Sequence, residues 1–146
     1  MKTGELVVFL AVFGSALGGS CLLPGAWRNQ FGSDLWLWAP GEGFSKNSPT
    51  SLRGEFRSAV AIHSGSGAGN ETRSLMGSSG RYPGSPFTFS VIWRSGAVTV
   101  WVGQCFVNGI SKEVLVTSWL LKEMAKSQKD NWKTTRIGND AFQRIV

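Results

Sequence analysis

The chain has 146 residues, the size of one domain with a single core. Its formal net charge of +6 comes from lysines and arginines scattered singly through turn-like segments, without the basic run that is typical of a nucleic-acid site. With one histidine and two cysteines, the chain is also short of ligands for a zinc site. We therefore expect a solvated basic surface, no nucleic-acid partner and no bound metal.

The first twenty residues differ from the rest of the chain. Lys2 precedes the apolar stretch LVVFLAVFG, and the small residues ALGGS follow it. This order is typical of a secretory signal peptide, and the apolar part is too short to span a bilayer. We predict a signal peptide over 1–20, cleaved between Ala16 and Ser20, and a secreted mature domain over 21–146 with no membrane anchor.

Eight short segments with alternating apolar and polar residues make up the mature domain. They are AWRNQF, SDLWLWA, LRGEFRSAVAI, TRSLMG, PFTFSVIW, AVTVWVGQCFV, EVLVTSWLLKEM and WKTTRIGNDAFQRI, and turns rich in Gly and Pro separate them. Such a pattern, with almost no helical periodicity, indicates an all-β sandwich or barrel. Because no long crossover segment is present, the simplest fold is an eight-stranded antiparallel up-and-down β-barrel, which has room inside for one small ligand.

Two of the later segments are apolar on both faces. One face carries Val98, Val100, Val102, Val116 and Leu120, and the other carries Thr99, Trp101, Thr117, Trp119 and Leu121. A strand that is apolar on both faces needs cover on both. In a barrel, the inner face is covered by the rest of the barrel, and the outer face must be covered from outside. The pattern therefore predicts a broad subunit interface.

Three features of the connecting segments and the surface are also notable. Trp36 and Trp38 share one strand face, either at an interface or as a partly exposed surface pair. The segment 40–51 is long for a hairpin loop and is expected to form a flap or an insertion. Asn70 begins the sequence NET, an N-glycosylation acceptor in a segment that is predicted to be an exposed loop.

Residue patterns that would indicate catalysis are weak. His63 lies in a Gly/Ser-rich stretch, and no nucleophile-elbow sequence accompanies it. Glu55, Glu113 and Glu123 are expected to point outward or to lie at strand ends, which gives little support to a glycosidase pair. No phosphate-binding glycine loop precedes a helix. We therefore predict a binding protein rather than an enzyme, with no cofactor.

Cys21 and Cys105 are the two cysteines of the chain. In an exported protein an even number of cysteines indicates disulfides, so we expect one bond between them. Because Cys21 lies at the mature N-terminus, this bond would tie the first strand to a much later one.

Five stretches in order resemble the avidin and streptavidin family of biotin-binding proteins. They are GAWRNQFGS, LRGEFRSAV, VGQCF, KEVLVTSWLL and NWKTTRIGNDAF. The resemblance runs from Cys21 to Arg144, and the cysteine pair is similar to that of animal avidins. It implies an eight-stranded barrel assembled as a homotetramer, with biotin bound in the mouth of each barrel, and a role in sequestering this vitamin.

The resemblance also implies a set of polar contacts to the ureido group of biotin. Asn29 and Ser33 match donors to the ureido oxygen, while Ser58 and Asp140 match acceptors for its two N–H groups. Phe56 stands where the family has a tyrosine, so a third donor is lost. The resemblance therefore implies tight binding of biotin that is weaker than the family's best.

The remaining biotin-binding positions implied by the resemblance are mainly apolar. They are Phe31, Val60, Trp93, Ala97, Thr99, Trp101, Trp119, Leu121 and Trp132. Thr99 matches a hydroxyl near the thioether, and Ala97 falls where a serine is common, which removes a carboxylate contact. Trp132, a large ring among charged and polar neighbours, matches the tryptophan that caps the site of a neighbouring subunit.

Three alternative functions stay open at this point. An avidin-like barrel could bind a different small ligand, since Phe56 and Ala97 both alter the site. A lipocalin-type carrier would begin with Gly-x-Trp, as GAW at 25–27 does, but DAFQRIV leaves no room for its C-terminal helix. An interaction protein without a ligand would leave the pocket residues without a purpose.

Overall fold

Eight antiparallel strands close into one up-and-down barrel in the computed structural model, which describes residues 21–38, 50–60, 70–82, 84–110 and 112–145. The strands are β1 (Gly25–Asn29), β2 (Asp34–Trp38), β3 (Thr50–Arg57), β4 (Thr72–Ser79), β5 (Phe87–Ile92), β6 (Val98–Asn108), β7 (Lys112–Lys122) and β8 (Thr135–Arg144). Each strand pairs with the next one in the chain, and β8 pairs with β1 to close the barrel. The fold class predicted from the sequence is confirmed.

The alternation of residues along each strand decides which side chains fill the barrel. In β3, Leu52 and Phe56 point inward and are buried, whereas Arg53 and Glu55 point outward and are exposed. Successive side chains of a strand lie on opposite faces, so a period of two in the sequence becomes an inside and an outside.

The end of the barrel near Cys21 and Ile145, the first and last described residues, is closed by large apolar side chains. Trp27 and Phe142 are fully buried there, and the Trp27 indole donates a hydrogen bond of 2.9 Å to the Leu23 carbonyl. The guanidinium of Arg144 lies 4.1 Å from the centre of the Trp27 ring and bonds to the Glu113 carboxylate. Every polar group in this cluster therefore has a partner within the chain.

A disulfide joins Cys21 to Cys105, as expected from the sequence. The two Cα atoms are 5.8 Å apart, and the residues are 84 positions apart in the chain. The bond ties the segment before β1 to the middle of β6. A cross-link that closes a loop of this length stabilises the folded state by about 4–5 kcal/mol, because it restricts the unfolded chain.

The last predicted strand is shorter than the sequence pattern indicated. The segment 132–145 was expected to form one strand, but β8 begins at Thr135, and a 3-10 helix, η1 (Gln128–Thr134), precedes it. Ser127 donates a 2.8 Å hydrogen bond to the Asp130 carboxylate, and the Thr134 hydroxyl donates a 2.9 Å bond to the Asn131 carbonyl. Such local side-chain bonds favour a turn over a strand.

The outer face of β6, β7 and β8 exposes a group of apolar side chains. Its members are Val98, Val100, Val102, Val116, Leu120 and Ile137. Elsewhere on the outside, Trp38 is exposed and Trp36 is half-buried in this single chain. Among the described residues, no helix is long and apolar enough to cross a membrane.

Several sequence predictions lie outside the described residues, in whole or in part. The signal peptide over 1–20 and His63 lie outside them entirely. Of the expected flap over 40–51, the part over 40–49 lies outside them, and the last two residues belong to β3.

Candidate binding site

A cavity of about 260 Å³ opens at the end of the barrel opposite the closed end that holds Trp27 and Phe142. Its walls come from the ends of β1, β3, β5 and β7 and from the starts of β2, β6 and β8, which meet at one rim in an up-and-down barrel. The described lining residues are Asn29, Phe31, Ser33, Phe56, Ser58, Val60, Trp93, Thr99, Trp101, Trp119, Leu121, Arg136 and Asp140. Most of these surfaces are apolar, so the few polar groups decide what the cavity can orient.

Asn29, at the end of β1, has a side chain whose orientation is set by the turn that follows it. Its Oδ1 accepts hydrogen bonds from the backbone N–H groups of Phe31 at 3.0 Å and of Ser33 at 2.9 Å. Two N–H donors converge on this atom, so it is the amide oxygen. The side-chain NH₂ of Asn29 is therefore left to donate to a ligand.

Ser33 and Ser58 are both buried, yet they have opposite hydrogen-bonding capacity. The Ser33 hydroxyl accepts a bond of 2.9 Å from the Ala59 backbone N–H, so its own proton is available to donate. The Ser58 hydroxyl donates its proton to the Val60 carbonyl at 2.7 Å. The oxygen of Ser58 can therefore act only as an acceptor toward the cavity.

Asp140, on β8, supplies the charged acceptor of the cavity and is only 6% exposed. Its Oδ2 accepts a hydrogen bond of 3.0 Å from the Trp101 indole. Gln30, the residue after β1, supports it: its side-chain amide donates to the Asn139 carbonyl and accepts from the Ala141 N–H, both at 3.0 Å. These bonds extend the β1–β8 pairing beyond its last backbone pair and hold the carboxylate in place.

Thr99 and Trp93 form a second polar contact in the wall. The Trp93 indole donates a hydrogen bond of 2.7 Å to the Thr99 hydroxyl, and both side chains are buried. The indole is thereby satisfied, and the hydroxyl proton of Thr99 remains available to a ligand.

Phe56 lies at the centre of the aromatic wall and is 3% exposed. Its ring centre is 4.9 Å from that of Trp101, 5.9 Å from that of Trp93 and 6.3 Å from that of Phe142. Ring pairs at these separations attract each other beyond simple burial. A phenylalanine fills this space well, but it offers no donor.

Gly138 makes room for another part of the aromatic wall. It pairs with Trp119 between β7 and β8, and a Cβ added to it would lie 2.3 Å from Cζ2 of the Trp119 ring. Only a residue without a side chain lets the indole lie over this strand.

An ion cluster on the outer surface braces the polar rim. Asp34 accepts a hydrogen bond of 2.6 Å from Nε of Arg28 and a further one from Arg57, so it links β1, β2 and β3. The bond from Arg28, reinforced by Arg57 and partly opposed by burial, lowers the pKa of the Asp34 carboxyl below its usual value. Arg28, Asp34 and Arg57 are the sequence neighbours of Asn29, Ser33 and Ser58, respectively. Each member of the ion cluster is therefore next to a residue of the cavity.

All but two of the side chains predicted to bind a ligand line this cavity. Ala97 does not, because it lies in the turn before β6, where its carbonyl accepts the Trp93 N–H at 2.8 Å and its methyl group is buried. Trp132 also lies away from its own chain's cavity, in η1, where it is 75% exposed.

At its buried inner end the cavity therefore offers two donors, Asn29 and Ser33, and two acceptors, Ser58 and Asp140. This set suits a ligand group that carries a carbonyl oxygen between two N–H groups. Among the described residues, no group of three or more His, Cys, Asp or Glu side chains could hold a metal ion.

Comparison with known proteins identifies the family to which this barrel belongs. The model of the avidin family matches residues 18–145. The chain belongs to the avidin family. It is 32% identical to avidin of Gallus gallus over 142 residues, which cover 96% of this chain and 90% of that protein. It is 36% identical to avidin-related protein 1 of Gallus gallus over 143 residues, which cover 95% and 89% of the two chains.

Solved avidin-family structures have the same fold. The crystal structure of Xenavidin superposes with a TM-score of 0.72 at 34% identity, covering 86% of this chain and 99% of that one. The structure of a biotin binding protein from chicken superposes with a TM-score of 0.74 at 33% identity, covering 87% and 98% of the two chains.

Sequence reasoning missed three residues that line this avidin-family cavity or support its walls. Arg136 lines its mouth, Gln30 supports Asp140, and Gly138 gives space to Trp119. A signal for two of them was present, because Arg136, Gly138 and Asp140 are spaced two residues apart and so share the inward face of β8. The role of Gln30 depends on contacts between distant parts of the chain, which no local pattern reveals.

Proposed function

We propose that this avidin-family protein binds biotin in the cavity at the mouth of the barrel and sequesters it, acting as a binding protein rather than an enzyme. The observation that supports this most strongly is the pairing of donors with acceptors at the inner end of the cavity. Biotin's ureido group has one oxygen and two N–H groups, which need donors and acceptors in that arrangement. Asn29 and Ser33 face the oxygen, while Ser58 and Asp140 receive the two N–H groups.

The apolar remainder of biotin fits the rest of the cavity. The rings of Trp93, Trp101 and Trp119 would enclose its bicycle and thioether, with Thr99 close to the sulfur. In surroundings that exclude water, each hydrogen bond to the ureido group is stronger than it would be in solution, because the local dielectric constant is low.

A second candidate is a different small ligand in the same cavity, and Phe56 is the observation that favours it. A ring without a hydroxyl leaves the ureido oxygen with two side-chain donors. A ligand whose carbonyl needs only two donors would lose nothing at this position.

Isothermal titration of residues 21–146 with biotin, and with desthiobiotin as a weaker probe, tests the proposal. We expect saturable heat with one biotin per chain and weaker binding of desthiobiotin, which lacks the sulfur. If neither ligand releases heat while the protein remains folded, the assignment of biotin is wrong.

We further propose that four copies assemble, with Trp132 closing the cavity of a neighbouring subunit. The apolar face formed by Val98, Val100, Val102, Val116, Leu120 and Ile137 supports an assembly, because its exposure in a single chain leaves a broad apolar surface in water. Trp132 supports the same idea, since no residue of η1 is buried within its own chain.

Two measurements test this assembly. Sedimentation should give about four times the mass of one chain, and a stable monomer at micromolar concentration would contradict it. Trp132→Ala should speed biotin release about thirtyfold, as expected for a buried tryptophan at an interface, with little change in melting temperature. If Trp132→Ala lowers the melting temperature as severely as it impairs biotin binding, Trp132 packs within its own chain and does not cap a neighbouring site.

Export is part of the same proposal. We propose that residues 1–20 direct secretion and are removed, consistent with the Cys21–Cys105 disulfide, since such bonds persist in oxidising compartments. Asn70 is exposed just before β4, so a glycan would be accommodated there if the host attaches one. Mass spectrometry of the secreted protein would reveal the mature N-terminus and any glycan.

A further inference from the structure

We propose that Arg136 recognises the anionic end of the ligand and gives the cavity a preference for a carboxylate over a neutral tail. This inference rests on the proposed function and extends it to a residue that the sequence pattern did not identify. Among the described residues that line the cavity, Arg136 is the only basic one.

The position of Arg136 on β8 places it at the mouth. Phe142, Asp140, Gly138 and Arg136 follow one another at every second residue on the inward face of this strand, from the buried floor to the rim. Four residues of a strand span about 13 Å, so Arg136 lies about that far from Asp140 along the strand. A ligand whose donor group reaches Asp140 would therefore need a tail to reach the guanidinium.

The two ends of the cavity differ in charge as well as in depth. Asp140 is buried and accepts hydrogen bonds, whereas the Arg136 side chain is 51% exposed and only donates them. The arrangement suits an elongated ligand with N–H donors at its inner end and a carboxylate at its outer end.

One carboxylate of the chain already competes for Arg136. The carboxylate of Glu123, the residue after β7, lies 3.6 Å from the guanidinium. This separation is too long for a good hydrogen bond, and a guanidinium has several N–H groups. Arg136 can thus bind a ligand carboxylate while it still contacts Glu123, although Glu123 reduces the attraction.

The test compares biotin with biotinamide, which has the same bicycle and chain but a neutral tail, by competition titration. We expect the natural chain to prefer biotin three- to fivefold, the range expected for an ion pair that is half-exposed to water. Arg136→Gln should abolish this preference, Arg136→Lys should retain part of it, and 1 M salt should reduce it in the natural chain.

Two further variants control the experiment. Arg53→Gln removes the same charge from the outer face of β3 and should leave the preference unchanged. Glu123→Gln should increase the preference about twofold, but only when Arg136 is present. If Arg136→Gln weakens both ligands equally, or changes neither, the inference is wrong. If the natural chain binds neither ligand, the proposed function fails first, and this inference with it.

Discussion

Both ends of the barrel combine aromatic rings with polar side chains, but they differ in what those polar groups contact. At the closed end, the Trp27 indole, the Glu113 carboxylate and the Arg144 guanidinium bond to other parts of the chain. At the open end, Asn29 and Ser33 bond to the backbone through their oxygens only. The side-chain NH₂ of Asn29 and the O–H of Ser33 therefore remain available to donate to a ligand. Unused hydrogen-bonding capacity, rather than aromatic content, therefore distinguishes the binding end from the structural end.

This difference has an energetic basis. A buried polar group without a partner destabilises a fold by about 1–3 kcal/mol, so a structural cluster satisfies its groups internally. A binding site keeps some groups unsatisfied until the ligand arrives. Changes at the closed end should thus affect stability, and changes at the open end should affect affinity.

The largest expected effect concerns the disulfide near the closed end. Replacing Cys21 and Cys105 by serine should reduce the free energy of unfolding by about 4–5 kcal/mol, because the unfolded chain regains its freedom. Denaturant unfolding measures this loss. Biotin affinity, measured well below the melting temperature, should change less than threefold, and a large loss would mean that the two ends are coupled.

The next effect concerns Asp140 at the open end. Asp140→Ala should weaken biotin binding about ten- to a hundredfold, because a hydrogen bond to a charged acceptor contributes about 1.5–3 kcal/mol. Calorimetric competition measures the change. Glu113→Ala at the closed end is the matched control, and it should reduce thermal stability while leaving affinity intact. If Asp140→Ala reduced thermal stability without weakening biotin binding, and Glu113→Ala did the opposite, the proposed difference between the two ends would be wrong.

A substitution at Phe56 tests the comparison by adding a polar group to the open end instead of removing one. Phe56→Tyr introduces a donor where the wall has none and keeps the ring that packs on Trp101 and Trp93. Biotin dissociation should slow about tenfold, since affinity differences of this kind lie mainly in the off-rate. Unchanged or faster dissociation would mean that the ureido oxygen does not face this ring.

The smallest effect concerns the pH dependence of the ion cluster around Asp34. Its pKa is lowered in the folded state, mainly by the hydrogen bond from Arg28, so the cluster stabilises the fold above the unfolded pKa of about 4. That stability is lost as the pH falls through the folded value. Asp34→Asn should lower the free energy of unfolding by about 1 kcal/mol at pH 7, with less difference from the natural chain at pH 2–3. An equal difference at both pH values would exclude a role for the carboxylate charge.

Much of the fold was predictable from the sequence, because strands with one face inside a barrel carry a period of two. The barrel and the inward positions of Trp101 and Asp140 followed from that pattern or from the family resemblance, and the disulfide followed from the pair of cysteines in a chain expected to be exported. The helix η1 was missed because Ser127 and Asp130 favour it through a local hydrogen bond. Such a bond leaves no trace in the alternation of apolar and polar residues.

The polar details of the cavity were less predictable. The family resemblance implied that Ser33 donates and Ser58 accepts, but residue types alone do not. The physical reason lies in the Ala59 N–H and the Val60 carbonyl, whose positions follow from chain folding beyond β3. The part played by Gln30 likewise requires the closure of β1 against β8. Without a family resemblance, residue types indicate only that a site exists, and the direction of each hydrogen bond requires coordinates.

A crystal structure of the complex with biotin tests the central claim most directly. The account predicts the ureido oxygen about 2.7–3.2 Å from Nδ2 of Asn29 and from the Ser33 hydroxyl, with one ureido N–H directed at Asp140 and the other at Ser58. A ligand bound outside the cavity, or one with its ureido oxygen turned away from Asn29 and Ser33, would contradict it.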